Sequence, residues 1–125
     1  MIVGLVNEKL EATIPLSIVA AGTTLLPIEA VIDTGFSGYL TLPHVFIESL
    51  DLEWCLNAEA TLGDGSVHDF DVYQAVVLWD GQERAIEVAE AEVDPLVGMS
   101  LIQGFLLQIH AVKSGKVQLT PIPLS

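Results

Sequence analysis

Apolar and polar residues alternate with a period of two through much of this chain. In residues 10–19 (LEATIPLSIV) the alternation puts Leu10, Ala12, Ile14, Leu16 and Ile18 on one face, as in a strand buried on one side. Residues 20–24 (AAGTT) read as a turn. Residues 25–32 form the next strand, and its adjacent Val31 and Ile32 point to burial on both faces at its end. A short strand is expected over 39–42 (YLTL). Pro43 then stands where proline opens a helix, with Val45, Phe46 and Leu50 giving a short amphipathic turn or two.

The second half continues in the same way. Residues 53–62 form a strand that ends in Gly63-Asp64-Gly65-Ser66, a hairpin tip where Asp-Gly supplies the positive φ angles of a tight turn. A long strand over 67–79 follows, then a turn at Asp80-Gly81 and a partner strand over 84–89. Asp94-Pro95 punctuates the chain. Residues 96–102 (LVGMSLI) pass from a short apolar strand into a helical turn that Gly104 stops. A last hairpin joins 105–112 to 117–120 across Lys113-Ser114-Gly115-Lys116, and Pro121 and Pro123 fray the tail. With no repeat, low-complexity stretch or linker, residues 1–125 read as a single domain. Many short, evenly spaced strands with one or two short helices predict an all-β domain, closed or folded over into a barrel.

Composition sharpens this picture. A chain of 125 residues buries a modest core, yet 51% of its residues are hydrophobic and only 6% aromatic. Aliphatic side chains must fill the interior and leave apolar surface over, for which a subunit interface is the usual destination. Four basic residues against seventeen acidic ones give a net charge of −13. That charge repels a phosphate backbone and excludes a nucleic-acid partner, while it would attract basic or neutral peptides. Cys55 is alone, which fits a reducing compartment. Residues 1–6 lack a basic n-region, and Glu8, Lys9 and Glu11 interrupt the apolar stretch behind them. The weakly polar segment 14–28 carries Pro15, Gly22 and Pro27 and cannot span a bilayer as a helix. A cytoplasmic protein with no membrane partner is expected.

One acidic group has a setting suited to chemistry. Asp33-Thr34-Gly35 follows the apolar run 28–32 and precedes Phe36-Ser37-Gly38, so a carboxylate is held on backbone at the mouth of a strand. The tripeptide alone is a weak signal, expected by chance in on the order of a few percent of chains this long, and could be a plain Asx turn. Its context adds to it: a hydroxyl at Ser37, a glycine-tipped hairpin at 63–66, and Leu96-Val97-Gly98 before a helical turn.

That combination, in that order, resembles the retropepsin-like aspartic proteases, the single-domain relatives of pepsin, and in particular their small bacterial members. The resemblance covers nearly the whole chain and implies a retropepsin-like acid-protease closed barrel with a flap hairpin. Asp33-Thr34-Gly35-Phe36-Ser37 corresponds to the active-site loop, residues 60–71 around Gly63-Asp64-Gly65 to the flap, and Leu96-Val97-Gly98-Met99 to the element packed behind that loop. Retroviral members usually carry alanine after Asp-Thr-Gly where this chain has Phe36, and the flap here is not the glycine-rich retroviral one. Subsite geometry therefore does not transfer from them.

The resemblance implies an endopeptidase. Peptide hydrolysis by two carboxylates needs one as base toward water and one as acid toward the scissile carbonyl and amine. Two carboxylates in contact share a proton and titrate as a unit; the aspartic-protease dyad is the general illustration. This chain has one Asp-Thr-Gly, so the second carboxylate must come from a copy of itself in a symmetric homodimer with both Asp33 side chains on the axis.

By the same analogy Thr34 would hydrogen-bond across the axis, and Gly35 would bring its amide to the carboxylate. Ser37 would donate its hydroxyl to Asp33. Gly63, Asp64 and Gly65 would close over a peptide substrate, and Gly98 would permit close packing behind the loop. No cofactor is implied.

Other chemistries are poorly supported. On a strand His68 and Phe70 share one face while Asp69 and Asp71 share the other, and His44 and His110 lie far away, so no metal site is expected. A glycosidase needs a second acid framed like Asp33, and none is present in the chain. The alternative from another class is a module of the same fold that no longer cleaves and serves in dimerisation or peptide binding.

Overall fold

The computed structural model describes residues 1–20, 24–61 and 63–123. They form ten strands: β1 (Ile2–Val6), β2 (Ala12–Val19), β3 (Leu25–Ile32), β4 (Leu40–Leu42), β5 (Glu53–Thr61), β6 (Val67–Trp79), β7 (Gln82–Glu90), β8 (Leu96–Val97), β9 (Phe105–Ile109) and β10 (Lys116–Pro121). Two short helices, α1 (His44–Ser49) and α2 (Met99–Ile102), lie among them.

The strands hydrogen-bond in the order β5-β6-β7-β4-β8-β3-β2-β1-β10-β9, and β6 also pairs with β2. That extra pairing, through Ser17 opposite Leu78 and Ile18 opposite Val77, closes β6-β7-β4-β8-β3-β2 into a ring. The ring covers the parts of β2 and β6 that β1 and β5 leave unpaired, while β5 and β9 remain the edge strands. Its interior is aliphatic: Ile14, Ile18, Leu40, Leu42, Val77, Val88, Val97 and Leu101 are fully buried. Most neighbours run antiparallel, but β3 pairs with β8 and β4 with β7 in parallel. The parallel β3–β8 pair and an antiparallel β4–β8 pair bring the end of β3 and the start of β4 to the short β8, where the candidate site lies.

The alternation in the second strand holds from Ala12 onward but not at its start. Asn7 Oδ1 accepts the amides of Lys9 and Glu11 and curls the chain. Leu10 takes φ 61° and stands 64% exposed, off the buried face. Residues 2–6 prove to be a strand wedged between β2 and β10. Their uniformly apolar run carries no alternation to mark it, and the strand is recognisable only once its partners are in place. The Gly4 backbone lies so near Thr13 that a Cβ would overlap the Thr13 carbonyl.

β9 ends at Ile109, short of Val112, because Val112 N–H turns back to the His110 carbonyl at 2.8 Å and Ser114 takes φ 62°. The Asp80-Gly81 turn has φ 52° and 83°, the two positive angles of a type I′ hairpin. At the other Asp-Gly turn only Gly65 is positive, at 86°, so Asp64 does not share the conformation expected of it. The expected turn at 20–24 falls largely on residues 21–23, and Leu62 was expected to end a strand. Both lie outside the described residues.

Candidate active site

Asp33 follows directly on β3 and is held by the backbone on both sides. Its N–H donates to the Val97 carbonyl at 2.9 Å, extending the parallel β3–β8 pair by one bond, and its own carbonyl accepts Phe36 N–H at 3.1 Å. The carboxylate Oδ1 accepts Gly35 N–H at 2.9 Å. This last bond is an Asx turn, available to any Asp-x-Gly segment. What distinguishes the loop is the rest of its anchoring.

Residues 97–100 grip that loop from behind. Besides the Asp33–Val97 bond, Met99 N–H donates to the Phe36 carbonyl at 2.8 Å, Ser100 N–H to Gly38 at 3.1 Å, and Gly98 N–H to Tyr39 at 3.0 Å. The Ser100 hydroxyl donates to the Ser37 carbonyl. Such close contact requires glycine at 98: a Cβ there would lie 2.3 Å from the Gly38 oxygen and 2.6 Å from the Phe36 ring. Arg84 secures the far end of the grip. Its guanidinium donates to the Leu101 carbonyl at 3.1 Å and the Ser100 carbonyl at 3.4 Å, and lies 5.5 Å from the Tyr39 ring centroid.

The other residues singled out in the sequence fall around this loop in different ways. Thr34 is exposed and borders a cavity of about 480 Å³ that Leu10, Ile32, Ile109 and Ala111 also line. Leu10 and Ile109 leave 64% and 42% of their surface in the open there, so the ground beside Thr34 is largely apolar, with Glu11 the one charged residue lining it. Ser37 is held by its carbonyl, and among the described residues no hydrogen bond joins its hydroxyl to Asp33. Gly63, Asp64 and Gly65 sit at the end of the β5–β6 hairpin and make no hydrogen bond to the Asp33 loop.

That hairpin has two distinct faces. Register places Ala58 opposite Phe70 and Leu56 opposite Val72, and these four apolar residues face the loop. Together with Phe36, Ser37, Gly38 and Tyr39 they enclose a cleft of about 370 Å³, with Glu87 and Ala89 of β7 on its wall. On the opposite face Trp54 Nε1–H donates to Asp71 Oδ1 at 3.0 Å and Asn57 donates to the same oxygen at 3.3 Å. The Trp54 bond chiefly, with Asn57 behind it, lowers the Asp71 carboxyl below its ordinary value. At the tip the Asp64 carboxylate accepts both the hydroxyl and the amide of Ser66, which likewise lower it. His68 Nε2 lies 3.1 Å from the Ser66 hydroxyl.

A second charged constellation sits at the start of α1. His44 Nδ1 pairs with Glu90 at 2.8 Å, Nε2 lies 3.3 Å from Glu48, and the backbone N–H donates to Glu92 at 2.8 Å. The hydrogen bond and charge of Glu90, with Glu48 and Glu92 behind, raise the imidazole above its ordinary value. Among the described residues no three His, Cys, Asp or Glu side chains are grouped to hold a metal ion, and no helix is long and apolar enough to cross a membrane.

Sequence reasoning missed Ser100, Tyr39 and Arg84. One signal was available for the last: Arg84 is one of only four basic residues and stands within a strand pattern. Nothing marked Ser100, whose role depends on a loop more than sixty positions away.

A strand-borne Asp-Thr-Gly loop, a short strand and helical turn gripping it, and a hairpin over the cleft make this a retropepsin-like fold. Two solved structures carry the same architecture. The crystal structure of a retropepsin-like aspartic protease from Rickettsia conorii matches at TM-score 0.60 and 15% identity, over 94% of this chain and 86% of that one. The solution structure of Simian Foamy Virus (mac) protease matches at TM-score 0.51 and 22% identity, over 70% of this chain and 90% of that one. At such identities the likeness concerns the fold alone. No protein-family model matches the chain, and the comparison with curated proteins gives no match.

Proposed function

We propose that this protein is an aspartic endopeptidase whose working unit is a homodimer, with Asp33 from each subunit forming one dyad. The observation that carries the reading is the five-bond grip of residues 97–100 on the loop of Asp33, beneath a hairpin with an apolar cleft face. A carboxylate held this firmly needs no reorganisation when charge develops beside it. The exposed Thr34 and the apolar ground of Leu10 and Ile109 support a second copy seated there. One Asp33 would take a proton from a water as it attacks the scissile carbonyl. Its partner would protonate that oxygen, and the departing amine takes a proton as the carbon–nitrogen bond breaks. The Leu56, Ala58, Phe70 and Val72 face would cover the peptide and exclude water.

The test is cleavage of a diverse peptide library from acidic to neutral pH, with Asp33→Asn as control. Turnover is expected from the wild type, falling by at least about 10²-fold in the variant. A folded, dimeric protein that cleaves nothing overturns the proposal. One observation favours a second reading, a peptide-binding or dimerisation module without catalysis: the Ser37 hydroxyl makes no bond to Asp33 in the single chain. Binding of peptides without turnover, equal in Asp33→Asn, is what that reading predicts.

A further inference from the structure

The cleft between the loop and the hairpin is not uniformly apolar. Phe36, Leu56, Phe70 and Val72 line it, and Glu87 brings a carboxylate onto the same wall. Glu87 is exposed, stands opposite Gln74 in the β6–β7 register, and takes part in no ion pair or side-chain hydrogen bond among the described residues. The chain has little to offer it. Of its four basic residues, Arg84 lies three positions along β7, hence on the other face, and is committed to the carbonyls of Ser100 and Leu101. Lys113 pairs with Glu8.

We propose that Glu87 makes this cleft a subsite for a lysine or arginine side chain of an extended peptide. The proposal rests on the peptidase reading and names the substrate class for that same site. A basic side chain suits both parts of the cleft. Its methylene stem can lie along Phe36, Leu56 and Phe70 while its charged head reaches the carboxylate. A glutamate side chain meets repulsion, and an aliphatic one leaves Glu87 unpaired. The net charge of −13 acts in the same direction, drawing basic peptides toward the protein at low salt.

The experiment uses one apolar peptide series carrying Lys, Arg, Gln, Glu or Leu at each position within three residues of the cleaved bond. Cleavage efficiency is measured for the wild type, Glu87→Gln and Glu87→Lys. Equilibrium binding of the same peptides is measured on Asp33→Asn with and without each Glu87 substitution. At one position the wild type should favour Lys or Arg over Gln by about two- to fivefold, as expected of a solvent-accessible ion pair. The ratio should shrink between about 0.05 and 0.5 M salt, collapse in Glu87→Gln, and turn toward Glu in Glu87→Lys.

Cleavage with no basic preference, or with one that Glu87→Gln leaves intact, overturns the inference while the peptidase stands. Basic-selective binding that depends on Glu87 but comes with no cleavage upholds the subsite and removes the peptidase. Absence of any peptide binding overturns both.

Discussion

Gly98 is pressed against Gly38: a Cβ on Gly98 would lie 2.3 Å from the Gly38 carbonyl oxygen. Sixty residues apart in sequence, these two glycines meet where β8 enters α2 behind the Asp33 loop. An atom of backbone cannot swing aside as the end of a flexible side chain can, so this contact fixes which residue position 98 accepts.

Gly98→Ala should therefore displace the loop and destabilise the protein by about 1–3 kcal/mol, with cleavage falling further than the loss of folded protein explains. Gly63→Ala is the contrasting case. A Cβ there meets nothing within 4 Å, so its stability should stay within about 0.5 kcal/mol of the wild type. Thermal melts of both variants beside their cleavage rates provide the check.

Ser100→Ala removes the hydroxyl that holds the Ser37 carbonyl while sparing the backbone bond to Gly38. A loss of about 0.5–1.5 kcal/mol in stability is expected, as for an ordinary hydrogen bond. Denaturant titration measures it. A change in kcat with KM held would place the effect on the geometry of Asp33 rather than on peptide binding.

His44 should make stability depend on pH in a definite direction. Glu90 first, then Glu48 and Glu92, raise its folded-state value above the ordinary 6.5. The stabilising contribution is thus complete below the unfolded-state value and fades as pH rises through the raised one. His44→Gln should flatten the melting temperature against pH over about pH 6–8, the range in which imidazole titrates. An unchanged slope would show that the pairing contributes nothing. Because the ring is exposed, the effect should be modest and weaker in salt.

Two copies each carrying −13 repel one another as they dock. Association of the proposed homodimer should tighten as salt rises from about 0.05 to 0.5 M, where screening shortens the reach of that repulsion. Sedimentation at the two salt concentrations tests this, with cleavage rising in parallel. A monomer at both, at concentrations where peptides are cleaved, would contradict the shared dyad.

Much of the fold was legible because period-two patterning survives wherever one face of a strand is buried. β3 and β6 match their expected spans residue for residue, and Asp80-Gly81 adopts the two positive angles its composition suggests. Legibility failed where the local signal was uniform or overridden. Residues 2–6 alternate in burial but not in hydrophobicity, and Leu10 leaves its strand because Asn7 captures the amides around it. In the candidate site, Asp33, Gly35 and Gly98 stood out because turns and close approaches restrict residue type. Ser100 and Tyr39 did not, because serine and tyrosine occur anywhere on a surface, and Arg84 had only its scarcity within a strand pattern to mark it.

By itself the sequence determined a β-rich chain with one carboxylate at a strand end, a glycine-tipped hairpin and an acidic surface, since each follows from local patterning or composition. Only the tertiary structure decided that β2 and β6 close the ring, that residues 97–100 grip the Asp33 loop, and that Glu87 faces the same cleft as Phe36 and Phe70. Those relations join residues tens of positions apart. Pairing and packing fix them in three dimensions, and no stretch of neighbouring residues encodes them alone.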